Sequence, residues 1–243
     1  MEDVIGIQAV RAVLQAEPER ARCLYVQRGR RDGRVSELIA LAKAAGVRFS
    51  SVEPAFFKRR VEEGAHQGVL LEAQGLITHD ETALLAHLQE IDTPLLLVLD
   101  GITDPRNLGA CLRSASAAGV DAVVLPRRQT APLNSLALKT AQGGAEALFI
   151  AEVSNLARTL EALKARNIWL VGAAGEAEQN YDQVDMQGSL AIVLGSEGKG
   201  LRRLTREACD FLAAIPMQGV VTSLNVSVAC GVLLFEALRQ RRK

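Results

Sequence analysis

The sequence is short of several things, and each shortage closes an option. Aromatic residues are 4% of its 243, with one Trp and two Tyr, while hydrophobic residues are 49%. The interior must therefore be aliphatic, as in an Ala/Leu/Val-rich α/β protein rather than a disordered chain. The three histidines, His66, His79 and His87, show no metal-ligand spacing, so no metal is expected. Four cysteines, Cys23, Cys111, Cys209 and Cys230, form no Cys-x-x-Cys pair and sit in apolar or helical stretches. They read as reduced, buried thiols of a cytoplasmic chain. No apolar run approaches the ~18 residues a membrane span needs, and Met-Glu-Asp-Val is not a basic region leading into an apolar segment. Neither membrane insertion nor secretion is expected.

Net charge is lacking too: 28 basic side chains face 28 acidic ones, so any nucleic-acid site has to be local. Candidate clusters are Arg28, Arg30, Arg31 and Arg34; Lys58, Arg59 and Arg60; Arg127 and Arg128; Arg202, Arg203 and Arg206; and the tail Arg239, Arg241, Arg242 and Lys243. Each alone is more ordinarily a solvated face.

What is present is a rhythm of short strands and helices. Residues 1–73 predict a compact α/β module: a helix over Ile7–Gln15, a strand at Leu24–Gln27, a helix over Val35–Ala45, and strands at Val47–Val52 and Val69–Glu72. Residues 74–94 lose strand character and read as a linker with a possible helix. Residues 95–243 open on Leu95-Leu96-Leu97-Val98-Leu99, a continuous apolar run suited to a parallel strand covered on both faces. Further runs at Ala122–Leu125, Ala147–Ala151, Ile168–Gly172, Leu190–Leu194 and Leu212–Ile215 alternate with helical patterns, which predicts a mostly parallel sheet. A last helix over Asn225–Gln240 is expected to turn Val228, Val232, Leu233 and Leu234 inward.

Three segments at strand ends can carry chemistry, because open α/β sheets bind ligands there. The first runs from Asp100 to Ala115 and contains Asp104-Pro105-Arg106-Asn107-Leu108-Gly109 and Arg113. Asp104 and Pro105 also suit a plain helix start. A helix beginning at Pro105 would put Asn107 and Arg113 roughly 240° apart, so a shared substrate predicts that the regular helix begins nearer Asn107. A Gly-x-Gly turn, the mark of a dinucleotide-binding first loop, is absent here. The second segment is Gly195-Ser196-Glu197-Gly198-Lys199-Gly200-Leu201, in which Glu197 can accept hydrogen bonds from a sugar or an ammonium. A tight strand-to-helix turn would use the same glycines. The third, Ile215 to Ala229, clusters Thr222, Ser223 and Asn225 where the last helix starts, either as simple caps or as partners for phosphate or ribose.

Together the three segments resemble, in order and at the same strand ends, the signature motifs of the SpoU/TrmH branch of the SPOUT methyltransferases. The likeness extends along the whole chain, including Ile5-Gly6-Ile7-Gln8-Ala9-Val10 and Ala65-His66-Gln67-Gly68-Val69. The resemblance implies a small N-terminal L30e-like RNA-binding domain, a C-terminal α/β domain with a trefoil knot, and a homodimer. It implies S-adenosylmethionine as methyl donor and a ribose 2'-hydroxyl of RNA as acceptor. The whole-chain likeness is to members that modify a guanosine of 23S rRNA in the peptidyl-transferase region. A tRNA ribose methyltransferase of the same branch, and a non-catalytic RNA-binding ribosome assembly factor, are the alternatives.

Carried over by motif, Asn107, Arg113, Glu197, Ser223 and Asn225 would be catalytic, and Gly195, Ile215 and Leu224 would touch the cofactor. Arg113 would bind the phosphate beside the target ribose and help activate its hydroxyl, as base or by stabilising the oxyanion. The second role is easier, since arginine normally stays protonated. Cys230 and the pair Gln142-Gly143 read as bystanders.

Overall fold

The computed structural model describes residues 2–30, 32–60 and 66–242. Arg31, Ala65 and Lys243, named among the sequence features, lie outside the described residues. The N-terminal part runs β1 (Glu2–Ile5), α1 (Ile7–Ala16), β2 (Ala21–Gln27), α2 (Gly33–Ala44), β3 (Arg48–Val52), α3 (Pro54–Arg60) and β4 (Val69–Ala73). Its sheet has the order β1-β4-β2-β3, with β4 antiparallel to both neighbours and β3 parallel to β2. Ile7, Val10, Val13 and Leu14 fall on one face of α1. They close, with Val35 and Leu38 of α2, over Leu24 and Val26 of β2 and Val69 and Leu71 of β4.

Two elements escape the sequence pattern. β1 is four residues with a polar start, and its partner β4 makes it a strand. α3 is seven residues headed by Pro54, too short to show a helical period.

The segment 74–94 is fastened to the C-terminal part. His79 donates its N–H to the Ile150 carbonyl at 2.8 Å and accepts from the Glu152 N–H at 2.8 Å. Asp80 then caps α4 (Glu81–His87), whose Leu84 is buried with Leu88 just beyond it. Phe149 is stacked between His79 at 4.0 Å and His87 at 4.2 Å.

The C-terminal part continues with β5 (Leu95–Asp100), α5 (Pro105–Ala118), β6 (Ala122–Pro126), α6 (Ser135–Ala141), β7 (Phe149–Val153), α7 (Leu156–Lys164), β8 (Trp169–Ala173), β9 (Leu190–Gly195), α8 (Arg203–Ala208), β10 (Phe211–Ala213) and α9 (Val226–Arg241). The strands lie in the order β10-β8-β9-β5-β6-β7, and the pairings are parallel. Leu95, Leu97 and Leu99 enter one core with α5, α6 and α9, whereas Leu96 and Val98 enter another with α4 and α7. Two-sided cover is why the strands read as unbroken apolar runs.

Three expectations are corrected. α5 begins at Pro105, capped by Asp104, and not nearer Asn107. Val228 is 50% exposed, and the inward face of α9 is Val226, Cys230, Leu233, Leu234 and Ala237. Two residues from Val226 is about 200° of helix, so Val228 points away from that face. Of the cysteines, Cys111 and Cys230 are buried but Cys23 and Cys209 are half-buried. The Cys209 thiol is pushed up to about 12, first by burial and then by Asp210, so it stays protonated near neutrality.

Candidate active site

Parallel strands β5, β8, β9 and β10 end on the same side of the sheet, and the three segments singled out by sequence meet there. The glycine-rich loop after β9 is set by packing. A Cβ on Gly195 would lie 2.1 Å from the Gly200 carbonyl carbon. Ser196 and Gly200 exchange backbone hydrogen bonds at 3.1 and 2.9 Å, with Gly198 at φ +77° and Gly200 at φ +64°. No side chain fits the first position, and the last two need left-handed backbone.

The base of this loop is tied to β5. The buried carboxylate of Asp100 accepts the Arg202 N–H at 3.2 Å and meets the Arg202 guanidinium at 3.4 Å. Asp100 was not singled out by sequence. Its one signal was a carboxylate ending an apolar strand, and its partner lies 102 positions along.

Beside the loop, three side chains close a triangle. Asn107 Nδ2 donates to Glu197 Oε1 at 2.8 Å, Asn225 Nδ2 donates to the same oxygen at 2.7 Å, and Asn225 Nδ2 lies 3.0 Å from Asn107 Oδ1. Asn225 also caps α9, accepting from the Ser227 N–H at 2.9 Å. Capping and site-building are the same act here: the cap holds the side chain that reaches across to the other two loops.

The triangle stands at a cleft of about 640 Å³ whose lining includes Gly195, Glu197, Ile215, Ser223, Leu224 and Asn225, together with Glu176, Met217, Thr222 and Ala173–Gly175. The volume suits a ligand of cofactor size. Glu176 was missed, since it belongs to a loop whose proximity no local pattern encodes; Met217 and Thr222 lay inside the third segment, but only Thr222 was named there as a candidate partner. Two carboxylates, Glu176 and Glu197, stand among apolar walls from Leu194, Ala213, Ile215 and Val226. The Glu176 carboxyl is held below the usual range by its own backbone N–H and then by Arg206. That donor set fits a cationic ligand with an apolar base better than a free phosphate, and S-adenosylmethionine is such a ligand.

Arg113 stands apart. It is exposed on α5, six residues after Asn107, hence about 9 Å along the axis and on a different face. Its backbone instead packs on the turn after α6, where a Cβ on Gly144 would come within 3.0 Å of Arg113 Cα. The structure thus joins Asn107, Glu197 and Asn225, gathers Gly195, Ile215, Ser223 and Leu224 around the cleft, and leaves Arg113 outside both groups. Among the described residues there is no His, Cys, Asp or Glu cluster able to hold a metal ion.

The geometry has counterparts. The SpoU rRNA methylase family matches residues 94–235, and the RNA 2'-O ribose methyltransferase substrate-binding family matches residues 4–77. The 23S rRNA (guanosine-2'-O-)-methyltransferase RlmB of Yersinia pestis is 50% identical over 240 residues, 99% of this chain and 98% of that protein. A solved RNA 2'-O ribose methyltransferase is 29% identical with a TM-score of 0.76, covering 98% of this chain and 88% of the other. AviRb of Streptomyces viridochromogenes, a SpoU methyltransferase solved with AdoMet, shares the fold at 23% identity and a TM-score of 0.78, covering 98% and 89% of the two chains. A catalytic fold with its substrate-binding partner, matched end to end, means that this chain belongs to the SpoU rRNA methylase family.

Proposed function

We propose that this protein transfers a methyl group from S-adenosylmethionine to the ribose 2'-hydroxyl of a guanosine in 23S rRNA. The observation that carries the reading is the Asn107–Glu197–Asn225 triangle at the mouth of a cleft fitted to a cationic cofactor. The substrate is supported by the full-length likeness to enzymes named for that reaction. Residues 1–73 hold the RNA, 74–94 join them to the catalytic part, and 95–243 bind cofactor and ribose. No helix among the described residues is long and apolar enough to cross a membrane. A cytoplasmic setting is supported by the likeness to bacterial enzymes named for a ribosomal RNA substrate.

When bound, the cofactor supplies an electrophilic methyl carbon on a sulfonium. Gly195, Ile215 and Leu224 would hold it, the glycine by letting the Gly200 backbone close the cleft wall. Two amides hold Glu197 at its Oε1, so its carboxylate would present an oriented acceptor to the ribose and a negative charge to a sulfonium. Ser223, exposed in the cleft, orients the hydroxyl. Arg113 binds the phosphate and stabilises the developing oxyanion, a task for a protonated guanidinium.

Methyl transfer from labelled cofactor to unmodified large-subunit rRNA and to tRNA, with the product position mapped, tests the proposal. Transfer to a 23S guanosine ribose is expected. Transfer to tRNA alone would establish the tRNA reading, and cofactor-free RNA binding without transfer the assembly-factor one.

Three finer features belong to the same proposal. The N-terminal domain is L30e-like, supported by its mixed four-stranded sheet under α1 and α2. The catalytic domain carries a trefoil knot, a reading supported by the nearness of the segment 214–225 to two other loops: Ala214 bonds Gln179 and Tyr181, and Ile215 and Ser223 line the cleft with Gly195–Gly198. A crystallographic trace of that segment checks it. The homodimer reading is supported by apolar side chains left exposed on and beside α9, with Val221, Val228 and Phe235 at 58%, 50% and 48%. Light scattering is expected to give a dimer for the wild type and a monomer for Phe235→Glu; an unchanged dimer removes this face from the interface.

A further inference from the structure

The tandem Gly143-Gly144, on the turn after α6, touches both working parts of the molecule. Gln142 and Gly143 are both left-handed, at φ +51° and +91°. On one side, a Cβ on Gly143 would lie 2.9 Å from Ala12 Cβ and 2.9 Å from the Gln8 carbonyl oxygen, both on one face of α1. On the other side, a Cβ on Gly144 would lie 3.0 Å from Arg113 Cα and 3.2 Å from Ser116 Cβ on α5. The helices behind this turn are also in backbone contact, since a Cβ on Gly109 of α5 would lie 2.3 Å from the Ala137 carbonyl oxygen of α6. The first helix of the N-terminal part is therefore separated from the Arg113 backbone by a two-residue glycine turn and nothing more.

We infer that Gly143-Gly144 is a positioning joint that fixes the RNA-holding domain against the segment bearing Arg113. It sets the distance between RNA bound at one end and ribose at the other. This rests on the proposed function for its substrate, RNA, but the joint itself is read from packing. Contacts this close between backbones are stiff, because protein interiors have little free volume to absorb an added methyl group. Neither glycine touches the cleft or the triangle, so each acts only through α1 or α5.

The two halves of the joint separate in kinetics. With full-length protein and a large-subunit rRNA fragment, Gly143→Ala is expected to raise KM roughly tenfold or more, by the scale of an ångström's misplacement. Its turnover on a short stem-loop that cannot reach the N-terminal part is expected to match wild type. Gly144→Ala is expected to lower kcat by a similar factor with a smaller rise in KM, because it displaces Arg113, one phosphate contact, while the α1 side of the joint still holds the rest of the RNA. Adding Ala12→Gly to Gly143→Ala removes one of the two contacts and is expected to restore part of the KM. Unchanged KM in a folded Gly143→Ala protein, or equal loss on long and short RNA, would overturn the joint. Should the wild type methylate no rRNA, the function falls instead, and filter binding of the same fragment to wild type and Gly143→Ala still decides the joint by whether affinity drops.

Discussion

Replacing Arg113 by alanine is expected to lower methylation of large-subunit rRNA about 10³-fold while cofactor affinity stays close to wild type, within the range found for losing a group that stabilises developing charge. The two halves of that expectation have different sources. Arg113 lines no part of the cleft and touches none of Asn107, Glu197 or Asn225, so its removal leaves the cofactor site intact. Its exposure and its long, always-charged side chain suit it to an RNA phosphate and to the oxyanion, which appears only as the reaction proceeds. Calorimetry with S-adenosylmethionine and single-turnover methylation are the paired measurements. Near-normal turnover by Arg113→Ala would remove it from the chemistry. Arg113→Lys distinguishes charge from geometry: an ammonium keeps the charge but not the planar fork, so partial rescue is expected.

The second large effect belongs to Gly195. Gly195→Ala is expected to weaken S-adenosylmethionine binding about 10²-fold or more, a loss of about 3 kcal/mol. The added methyl would sit 2.1 and 2.2 Å from the Gly200 carbonyl carbon and oxygen and 2.3 Å from the Leu201 nitrogen. These are backbone atoms of the loop that carries Glu197, so the loop must move as a body. Glu197 would leave Asn107 and Asn225, and two hydrogen bonds from the α5 and α9 sides would be lost with it. Gly198→Ala is the comparator. It has open space around its Cβ but a φ of +77°, so it carries about 1–2 kcal/mol of backbone strain and no collision. A much smaller loss of affinity is expected for it. Equal losses would mean that loop conformation alone, and not the close wall at Gly195, shapes the cleft.

How far the site was legible depends on which kind of information each residue carries. Asn107, Glu197 and Asn225 each lay in a strand-end segment picked out by residue type, but a tight turn explained Glu197 and a helix cap Asn225 as readily, and their grouping as one site came from the resemblance of the three motifs together. Asn225 shows why: its Oδ1 caps α9 while its Nδ2 bridges Asn107 and Glu197. A local reading sees only the first of these. Asp100 and Arg202 show the converse, a buried carboxylate and an exposed guanidinium whose residues are 102 positions apart and whose separate contexts, a strand end and a basic cluster, suggested no relation. The Gln142-Gly143 pair read as a bystander because its partners, Gln8 and Ala12, belong to another part of the chain.

The sequence by itself determined the class of fold, most of the strands and helices, and the three loops where chemistry could occur. Those properties follow from periodicity and from residue types that act over a few neighbours: unbroken apolar runs for strands covered twice, Asp104-Pro105 for a helix start, glycines where the loop must turn. Only the tertiary structure decided which of those residues meet. It started α5 at Pro105 and so turned Arg113 away from Asn107, drew Asn107, Glu197 and Asn225 onto one carboxylate oxygen, and pressed the N-terminal helix against a glycine turn beside Arg113. The reason is physical: hydrogen bonds and close packing act over a few ångströms of space, and the strand order β10-β8-β9-β5-β6-β7 brings together loops that the chain keeps about a hundred residues apart.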